Sequence, residues 1–238
     1  MRINQYLAHA GIASRRKSEE FVREGKVTVN GEVMTDLAYQ VKASDKVEVA
    51  GVATYSEEPV YYLLNKPRGV ISSVSDDKNR KTVIDLLPQV KERIYPVGRL
   101  DWDTSGLLLL TNDGDFAALM THPRHQIEKI YQAKIEGLAT KENLRPLTLG
   151  MKIDGVNYAP AHYDIVKTDR TKNSSLVLLT IHEGHNHQVK KMFEKIGLPV
   201  QKLSRLQYGN LTLGTLSAGN ARRLTKKEVS QLVNLAKK

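Results

Sequence analysis

The chain has 238 residues, of which 40% are hydrophobic, and its 36 Lys and Arg against 26 Asp and Glu give a net charge of +10. It contains no cysteine, which excludes disulfides, thiolate metal ligands and cysteine nucleophiles and fits a reducing cytoplasm. No secretory signal or apolar stretch of about 18 residues is found, so we expect a soluble cytoplasmic protein without membrane contact. The excess of positive charge indicates a polyanionic partner, with nucleic acid ahead of a membrane surface.

The first 49 residues predict a small α/β module. Apolar residues at helical spacing predict a helix that ends at Gly11, and Ser14 is a typical N-cap for a second helix over residues 15–24. The turn Asn30-Gly31 between two short apolar runs predicts a β-hairpin, and residues 46–49 predict a further strand. Five cations on or beside the second helix are candidates for contacts with RNA phosphates, namely Arg15, Arg16, Lys17, Arg23 and Lys26.

The remainder predicts a linker and a larger domain. Residues 50–59 are small and polar and end in proline, so we expect domains at 1–49 and 60–238 joined by this linker. Strand-like segments outnumber helical ones and do not alternate regularly with them, which favours an α+β fold with a mostly antiparallel or mixed sheet. The predicted strands are 60–64, 107–110, 131–135, 161–166 and 175–181, and the predicted helices are 116–121, 141–147, 188–196 and 226–236.

A polar stretch at 98–106 directly precedes four consecutive leucines at 107–110. The leucines predict a fully buried strand, and the stretch before them places Arg99, Asp101 and Asp103 at its mouth. Carboxylates at the edge of a rigid core strand are well placed for catalysis, although the same residue pattern is also typical of an ordinary polar turn. Two carboxylates would also suit a nucleoside or sugar hydrolase.

Three further segments hold candidate functional residues. Lys66 lies in a cationic turn after the first strand of the larger domain, and Tyr131 begins another strand. A turn at 182–187 carries three histidines and leads into a helix that contains Lys190. The histidines have no carboxylate at a supporting spacing, so we expect no metal site.

These segments in this order, at 66–69, 98–114, 129–131 and 183–193, resemble the RsuA-type branch of the pseudouridine synthases. The resemblance spans residues 60 to about 235, and residues 2–49 resemble the S-four-type RNA-binding domain. The resemblance to the pseudouridine synthases implies that Asp101 is the essential catalytic aspartate and that Arg99 is associated with the flipped nucleotide. It also implies that Tyr131 stacks on the uracil and assists proton removal, and that Lys190 pairs with the aspartate. Lys66 joins the RNA-binding candidates, and His185 receives no role.

The implied reaction converts a uridine in ribosomal RNA to pseudouridine without metal or cofactor. Asp101 would either attack the anomeric carbon of the ribose or deprotonate the sugar, and the sequence leaves both routes open. The residues at 104–114 and at 59–62 resemble most the members that act on large-subunit (23S) rRNA, so we expect 23S rRNA or a pre-ribosomal particle as the partner. For the oligomeric state, a monomer is the default expectation. The alternatives are a 16S rRNA target and a non-catalytic RNA-binding protein of ribosome assembly.

Overall fold

The computed structural model describes residues 1–237, which divide into two compact units. The first unit contains residues 1–60 together with 90–94 and 112–114, and the second contains the other described residues. Among the described residues, no helix is both long enough and apolar enough to cross a membrane. The elements of the first unit are α1 (Ile3–His9), α2 (Arg15–Arg23), β1 (Val27–Val29), β2 (Glu32–Val33), β3 (Val47–Val49) and β4 (Val52–Ala53).

In the first unit, two helices accompany a four-stranded sheet of order β2-β1-β3-β4. The Ser14 side chain accepts a hydrogen bond from the backbone N–H of Lys17, which caps α2 as its sequence predicts. Asn30 and Gly31 both have positive φ angles, of 54° and 86°, as a two-residue hairpin requires. The core consists of the buried side chains Ile3, Leu7, Val22, Val27, Val29 and Val47.

Part of the segment predicted as a linker, 50–59, is ordered as a strand. Ala50 and Gly51 turn the chain with φ angles of 49° and 79°, and β4 then pairs with β3. Two such left-handed residues in sequence are a turn signal that composition alone does not distinguish from a flexible linker.

The second unit contains the larger set of elements. Its strands are β5 (Tyr61–Lys66), β6 (Tyr95–Val97), β7 (Thr104–Thr111), β8 (Lys129–Glu136), β9 (Met151–Ile153), β10 (Val156–Tyr158), β11 (His162–Asp169), β12 (Ser174–Ile181), β13 (Val200–Tyr208), β14 (Leu211–Thr212) and β15 (Ala221–Arg223). Its helices are α3 (Gly114–Thr121), α4 (Lys141–Leu144), α5 (Gln188–Lys195) and α6 (Lys226–Ala236).

The predicted α+β class is confirmed, with a mixed sheet. The main path runs β11-β12-β8-β13-β7-β5-β15, while β14 pairs with β13 and β6 with β7. All these pairs are antiparallel except β13 with β7, which run parallel. The four leucines at 107–110 lie in the middle of this sheet, each at most 1% exposed, as a strand buried on both faces requires.

The structure differs from the predicted elements at residues 141–149 and 200–208. Residues 141–147 form only the short α4, followed by a 3₁₀ turn over Arg145–Leu149, because Pro146 cannot continue the α-helix. The central strand β13 was not predicted, since Lys202 and Arg205 interrupt its apolar residues. This strand is the parallel neighbour of β7, so the sequence did not indicate which residues pack beside β7 at the site.

Candidate active site

A buried lysine holds the loop that carries Asp101. Lys66 is the last residue of β5, and its Nζ donates to the carbonyl oxygens of Pro67 at 3.1 Å, Asp101 at 3.0 Å and Thr104 at 2.9 Å. An ammonium has three N–H donors, so these three carbonyls satisfy it completely. Lys66 therefore ties both ends of the turn at residues 101–104 to the sheet.

This position corrects our prediction that Lys66 contacts RNA. Its side chain is 0% exposed and all its donors are used, so it has no surface to offer to a phosphate. Burial lowers the pKa of Lys66 to about 8, and the charges of Asp101 and Asp103 work against that shift. Near neutral pH the side chain is an ammonium that acts within the protein.

Two other side chains hold the same loop from its outer side. The hydroxyl of Ser72 donates to the carbonyl of Leu100 at 2.7 Å and accepts from the N–H of Leu100 at 3.1 Å. The Nε of Arg68 donates to the carbonyl of Asp103 at 2.9 Å. With backbone groups on either side of the Asp101 side chain fixed in this way, the carboxylate is held in place by rigid surroundings.

Lys190 links the two carboxylates of the loop. From the first turn of α5, its Nζ lies 2.9 Å from Oδ2 of Asp101 and 2.6 Å from Oδ1 of Asp103. Nε2 of His187 lies 3.8 Å from the other oxygen of Asp101. Burial would lower the pKa of Lys190, yet its hydrogen bonds to Asp103 and Asp101 raise it. Burial alone would raise the pKa of Asp103, but the hydrogen bond and the charge of Lys190 lower it below its usual value.

The turn before α5 is organised by one buried glutamine. Gln188, 3% exposed, accepts from the backbone N–H of His185 at 3.1 Å and donates to Oε1 of Glu183 at 2.6 Å. His187 enters the helix through a left-handed conformation with φ of 56°. This geometry directs the first turn of α5, and with it Lys190, toward the loop at Asp101.

Tyr131 borders the same cleft from the sheet. It lies on β8 with 9% of its surface exposed, and its hydroxyl accepts a hydrogen bond from Nη1 of Arg205 at 3.4 Å. The side chains that line the cleft combine charged and apolar groups, which suits a planar polar ring. The cleft is lined by Arg99, Leu100, Asp101, Thr104, Tyr131, Ile181, Gly184, His185, His187, Gln188, Val189, Lys190 and Leu203.

The structure thus brings together four residues that the sequence indicated as catalytic: Arg99, Asp101, Tyr131 and Lys190. Arg99 is exposed at the rim, and its side chain forms no hydrogen bond or ion pair within residues 1–237. Asp103 shares Lys190 with Asp101 and so belongs to the site as well. His185 lies at the rim, 3.4 Å from Glu183. Over the described chain, no group of three or more His, Asp or Glu is placed to hold a metal ion.

In the first unit, the five candidate RNA-binding cations differ in their partners. Three lie beside carboxylates: Lys17 Nζ is 2.5 Å from Glu20, Arg23 is 3.7 Å from Glu19, and Lys26 is 2.6 Å from Glu24. Arg15 and Arg16 are exposed, and their side chains have no such partner in the part of the chain that the structure describes. Their full charge is available to a phosphate backbone.

Comparison with known proteins identifies the class to which this fold and site belong. The pattern described as RNA pseudouridylate synthase matches residues 60–195, and that of the S4 domain matches residues 1–47. The chain belongs to the RNA pseudouridylate synthase family and is therefore an isomerase. It is 52% identical over 235 residues to the ribosomal large subunit pseudouridine synthase B of Bacillus subtilis (strain 168), covering 99% of this chain and 96% of that protein.

Two further relatives agree with this assignment. An uncharacterized RNA pseudouridine synthase of Aquifex aeolicus (strain VF5) is 38% identical over 234 residues, covering 98% of this chain and 93% of its own. The crystal structure of a pseudouridylate synthase superimposes with a TM-score of 0.69 at 30% identity, covering 98% of this chain and 99% of that one. The similarity therefore includes both units of the chain.

Sequence reasoning missed two residues that shape the site. Ser72 gave no signal, because a single serine after a strand-like run is ordinary. Arg205 lies on the strand that was not predicted, and its charge between Leu203 and Leu206 is the signal that could have indicated it. A charged residue in a central strand is expensive to bury and is therefore often functional.

Proposed function

We propose that this enzyme converts a uridine of ribosomal RNA, in the large subunit, to pseudouridine with Asp101 as the catalytic carboxylate. The observation that carries the proposal is the contact of 2.9 Å between Lys190 and Asp101, in a cleft bordered by Tyr131. The name of the Bacillus subtilis relative, at 52% identity, supports the large ribosomal subunit as the source of the substrate.

The reaction rearranges one nucleotide without an external reactant. The bond between N1 of the uracil and C1′ of the ribose breaks, and a bond between C5 and C1′ forms. C5 loses its proton and N1 gains one, so the product is an isomer of the substrate. A site for this chemistry has to retain the detached base and limit the access of water, which would give hydrolysis instead.

Asp101 begins the reaction by one of two routes. Its carboxylate either attacks C1′ or removes a proton from the sugar, and both need the ionised acid. Lys190 holds the Asp101 carboxylate in position, because its ammonium is shared between Asp101 and Asp103 at hydrogen-bond distance. The carbonyl and N–H contacts made by Lys66 and Ser72 keep the loop rigid while charge shifts on the carboxylate.

The remaining cleft residues hold the base. Tyr131 offers its ring for stacking, and base stacking on an aromatic side chain contributes about 1–3 kcal/mol. In this proposal its phenol also assists removal of the C5 proton. The target uridine has to leave its RNA helix, which costs a few kcal/mol. Exposed Arg99 at the rim is available to occupy the position that the base leaves in the helix. Arg15 and Arg16 of the S4 domain supply phosphate contacts that do not depend on sequence.

The test uses 23S rRNA from cells that lack this gene, incubated with the purified full-length protein. We expect pseudouridine at a discrete position with wild type and none with Asp101→Asn, while the affinity of the variant for RNA stays within about twofold of wild type. Asp154→Asn is a matched control, because this exposed carboxylate pairs with Lys191 outside the cleft. It should retain full activity.

Three results would contradict parts of the proposal. Pseudouridine formed by Asp101→Asn would remove Asp101 from its catalytic role. Free uracil released without pseudouridine would indicate a hydrolase that uses Asp101 and Asp103. Modification of 16S rRNA, or RNA binding without any modification, would favour the alternatives of a small-subunit enzyme or an assembly protein.

A further inference from the structure

A second, larger recess lies beside the catalytic cleft on the same unit. Its volume is about 370 Å³, and it shares Arg99, Tyr131, Gly184 and His185 with the cleft. Its inner wall is formed by Lys129 and Tyr131 of β8 and by Arg205 and Tyr208 of β13. Pockets of this size hold small organic ligands, so the space suffices for a nucleotide next to the one in the cleft.

The register of the two strands places two cations together in this wall. Arg205 lies opposite Tyr131 and Tyr208 opposite Lys129, with an irregularity between Arg205 and Gln207. Arg205 and Tyr208 are three residues apart, so on a regular strand their side chains would point to opposite faces. The bulge between them brings both side chains to the same face. Consequently both cations approach one ring: the Tyr208 centroid is 5.4 Å from Nζ of Lys129 and 5.1 Å from Cζ of Arg205.

Neither cation has an anionic partner in the described part of the chain. Lys129 donates to the carbonyl of Ile127 at 2.9 Å, while Arg205 donates from Nε to the carbonyl of Leu107 at 2.7 Å. Arg205 is 3% exposed, and its Nη2 forms no hydrogen bond. Glu183 also borders the recess but already accepts from the backbone N–H of Ala159 and from the side chain of Gln188.

Two like charges against one ring at low exposure are unfavourable unless an anion approaches them. Burial, and after it the charge of Arg205, lowers the pKa of Lys129 to about 8, while the charge of Glu183 offsets only part of that shift. A phosphate placed in the recess would offset both effects, because it neutralises charge and accepts hydrogen bonds. RNA brings such phosphates with it, and the flanking tyrosine rings offer surfaces for its bases.

We propose that this recess is a subsite for a phosphate of the RNA strand within two nucleotides of the target uridine, bound directly by Lys129 above the buried charge of Arg205. This subsite rests on the proposed function, because it adjoins the cleft where the uridine reacts. It explains why a lysine and an arginine occupy neighbouring positions in the central sheet without a carboxylate partner.

The experiment uses the full chain and a synthetic fragment of its rRNA substrate. One phosphate at a time around the target uridine is replaced by a methylphosphonate, which is uncharged and nearly isosteric. At one position we expect the substitution to raise KM and the dissociation constant of wild type about tenfold with kcat within about twofold, as loss of one charge-assisted contact does. Lys129→Gln should raise both constants for unmodified RNA by a similar factor and lose its sensitivity at that position.

Matched variants separate the subsite from general effects of charge or folding. Lys134→Gln makes the same exchange on the same strand outside the recess, where Lys134 lies opposite Leu176, and should retain the full methylphosphonate effect. Lys129→Arg keeps the charge and should behave like wild type. A penalty that is equal in wild type and Lys129→Gln at every position would overturn the subsite.

The dissociation constants distinguish failure of this inference from failure of the proposed function. If neither wild type nor any variant forms pseudouridine, this RNA is not a substrate and the proposed function fails for it. The dissociation constants measured at each methylphosphonate position still report whether Lys129 binds a particular phosphate. If pseudouridine forms and the affinity pattern is flat across positions, the subsite alone is wrong.

Discussion

Gly106 of β7 lies directly opposite Arg205 of β13, where the two strands run parallel at the centre of the sheet. A Cβ atom at Gly106 would collide with the carbonyl oxygen of Arg205 and lie 2.6 Å from its amide nitrogen. The φ angle of Gly106 is 108°, a value that L-amino acids rarely adopt. The close approach places the Arg205 side chain where its Nε reaches the carbonyl of Leu107 and its Nη1 reaches Tyr131.

Gly106→Ala should therefore destabilise the protein by about 3–5 kcal/mol, from steric overlap together with backbone strain. Denaturant unfolding measures the loss. Gly155→Ala is the matched control, because Gly155 also has a positive φ, of 79°, but open space around it, and should lose only about 1 kcal/mol. Equal losses in the two variants would show that the contact with β13 has no energetic weight.

Lys190→Met should lower kcat about 100-fold or more with little change in KM, because it removes the ammonium between two carboxylates. The pKa of Asp103 should rise in this variant, since burial persists while the hydrogen bond from Lys190 is lost. Steady-state kinetics and NMR titration test the two effects. Lys191→Met, next along α5 and paired with exposed Asp154, should match wild type in both. Full activity of Lys190→Met would refute this electrostatic role.

Replacement of both Arg15 and Arg16 by Gln should weaken RNA binding and reduce the slope of log affinity against log salt by about 1.5–2. Both residues are exposed, and their charges are not neutralised by neighbours in the described residues. The matched double variant, Lys17→Gln with Arg23→Gln, should change the slope less, because each cation already lies beside a glutamate. Filter binding from low to high salt gives both slopes. An identical change in the two variants would contradict the larger contribution that we expect from Arg15 and Arg16.

The stability of Lys129→Gln relative to wild type should depend on pH. The pKa of Lys129 is about 8 in the folded protein, and that of an unfolded lysine is about 10.4. Between these values the folded state binds fewer protons, so this group makes wild type more stable as the pH rises, and below pH 8 its buried charge is unfavourable.

The variant lacks this contribution, so its stability relative to wild type should be highest near pH 7 and decrease by about 1–2 kcal/mol by pH 10, after allowance for partial exposure. Unfolding by urea at several pH values measures the difference. Lys66 and Tyr208, whose pKa values burial also shifts, are present in both proteins and cancel. A difference that stays constant with pH would show that Lys129 is not buried as a cation.

The amino-acid sequence predicted the local parts of this protein well. The Asn30-Gly31 hairpin, the Ser14 cap and the buried strand of four leucines all depend on neighbouring residues, and the structure has them where their patterns indicate. The family resemblance indicated Asp101 and Lys190, and the structure brings them within 2.9 Å. Their separation of 89 positions could not have been bridged by spacing alone.

The parts that were missed depend on partners distant in the sequence. Lys66 was predicted to contact RNA because a lysine in a cationic turn is normally exposed, whereas here its ammonium donates to the carbonyl oxygens of Asp101 and Thr104 in the 101–104 loop and of the adjacent Pro67. Arg205 was missed because the mixed polar and apolar residues of 200–208 do not have the pattern of a central strand. Its place became understandable only with Gly106, whose lack of a side chain admits the arginine backbone.

The parallel pairing of β7 with β13 also determines when the site can exist during synthesis of the chain. The small module at the start has its whole core within residues 3–47, so that core is available early. Asp101, in contrast, lacks its partner on α5 until residue 190 has been made, and Leu107 lacks Arg205 for still longer. Because such distant contacts form late, a growing chain can acquire its RNA-binding module well before it acquires catalytic activity.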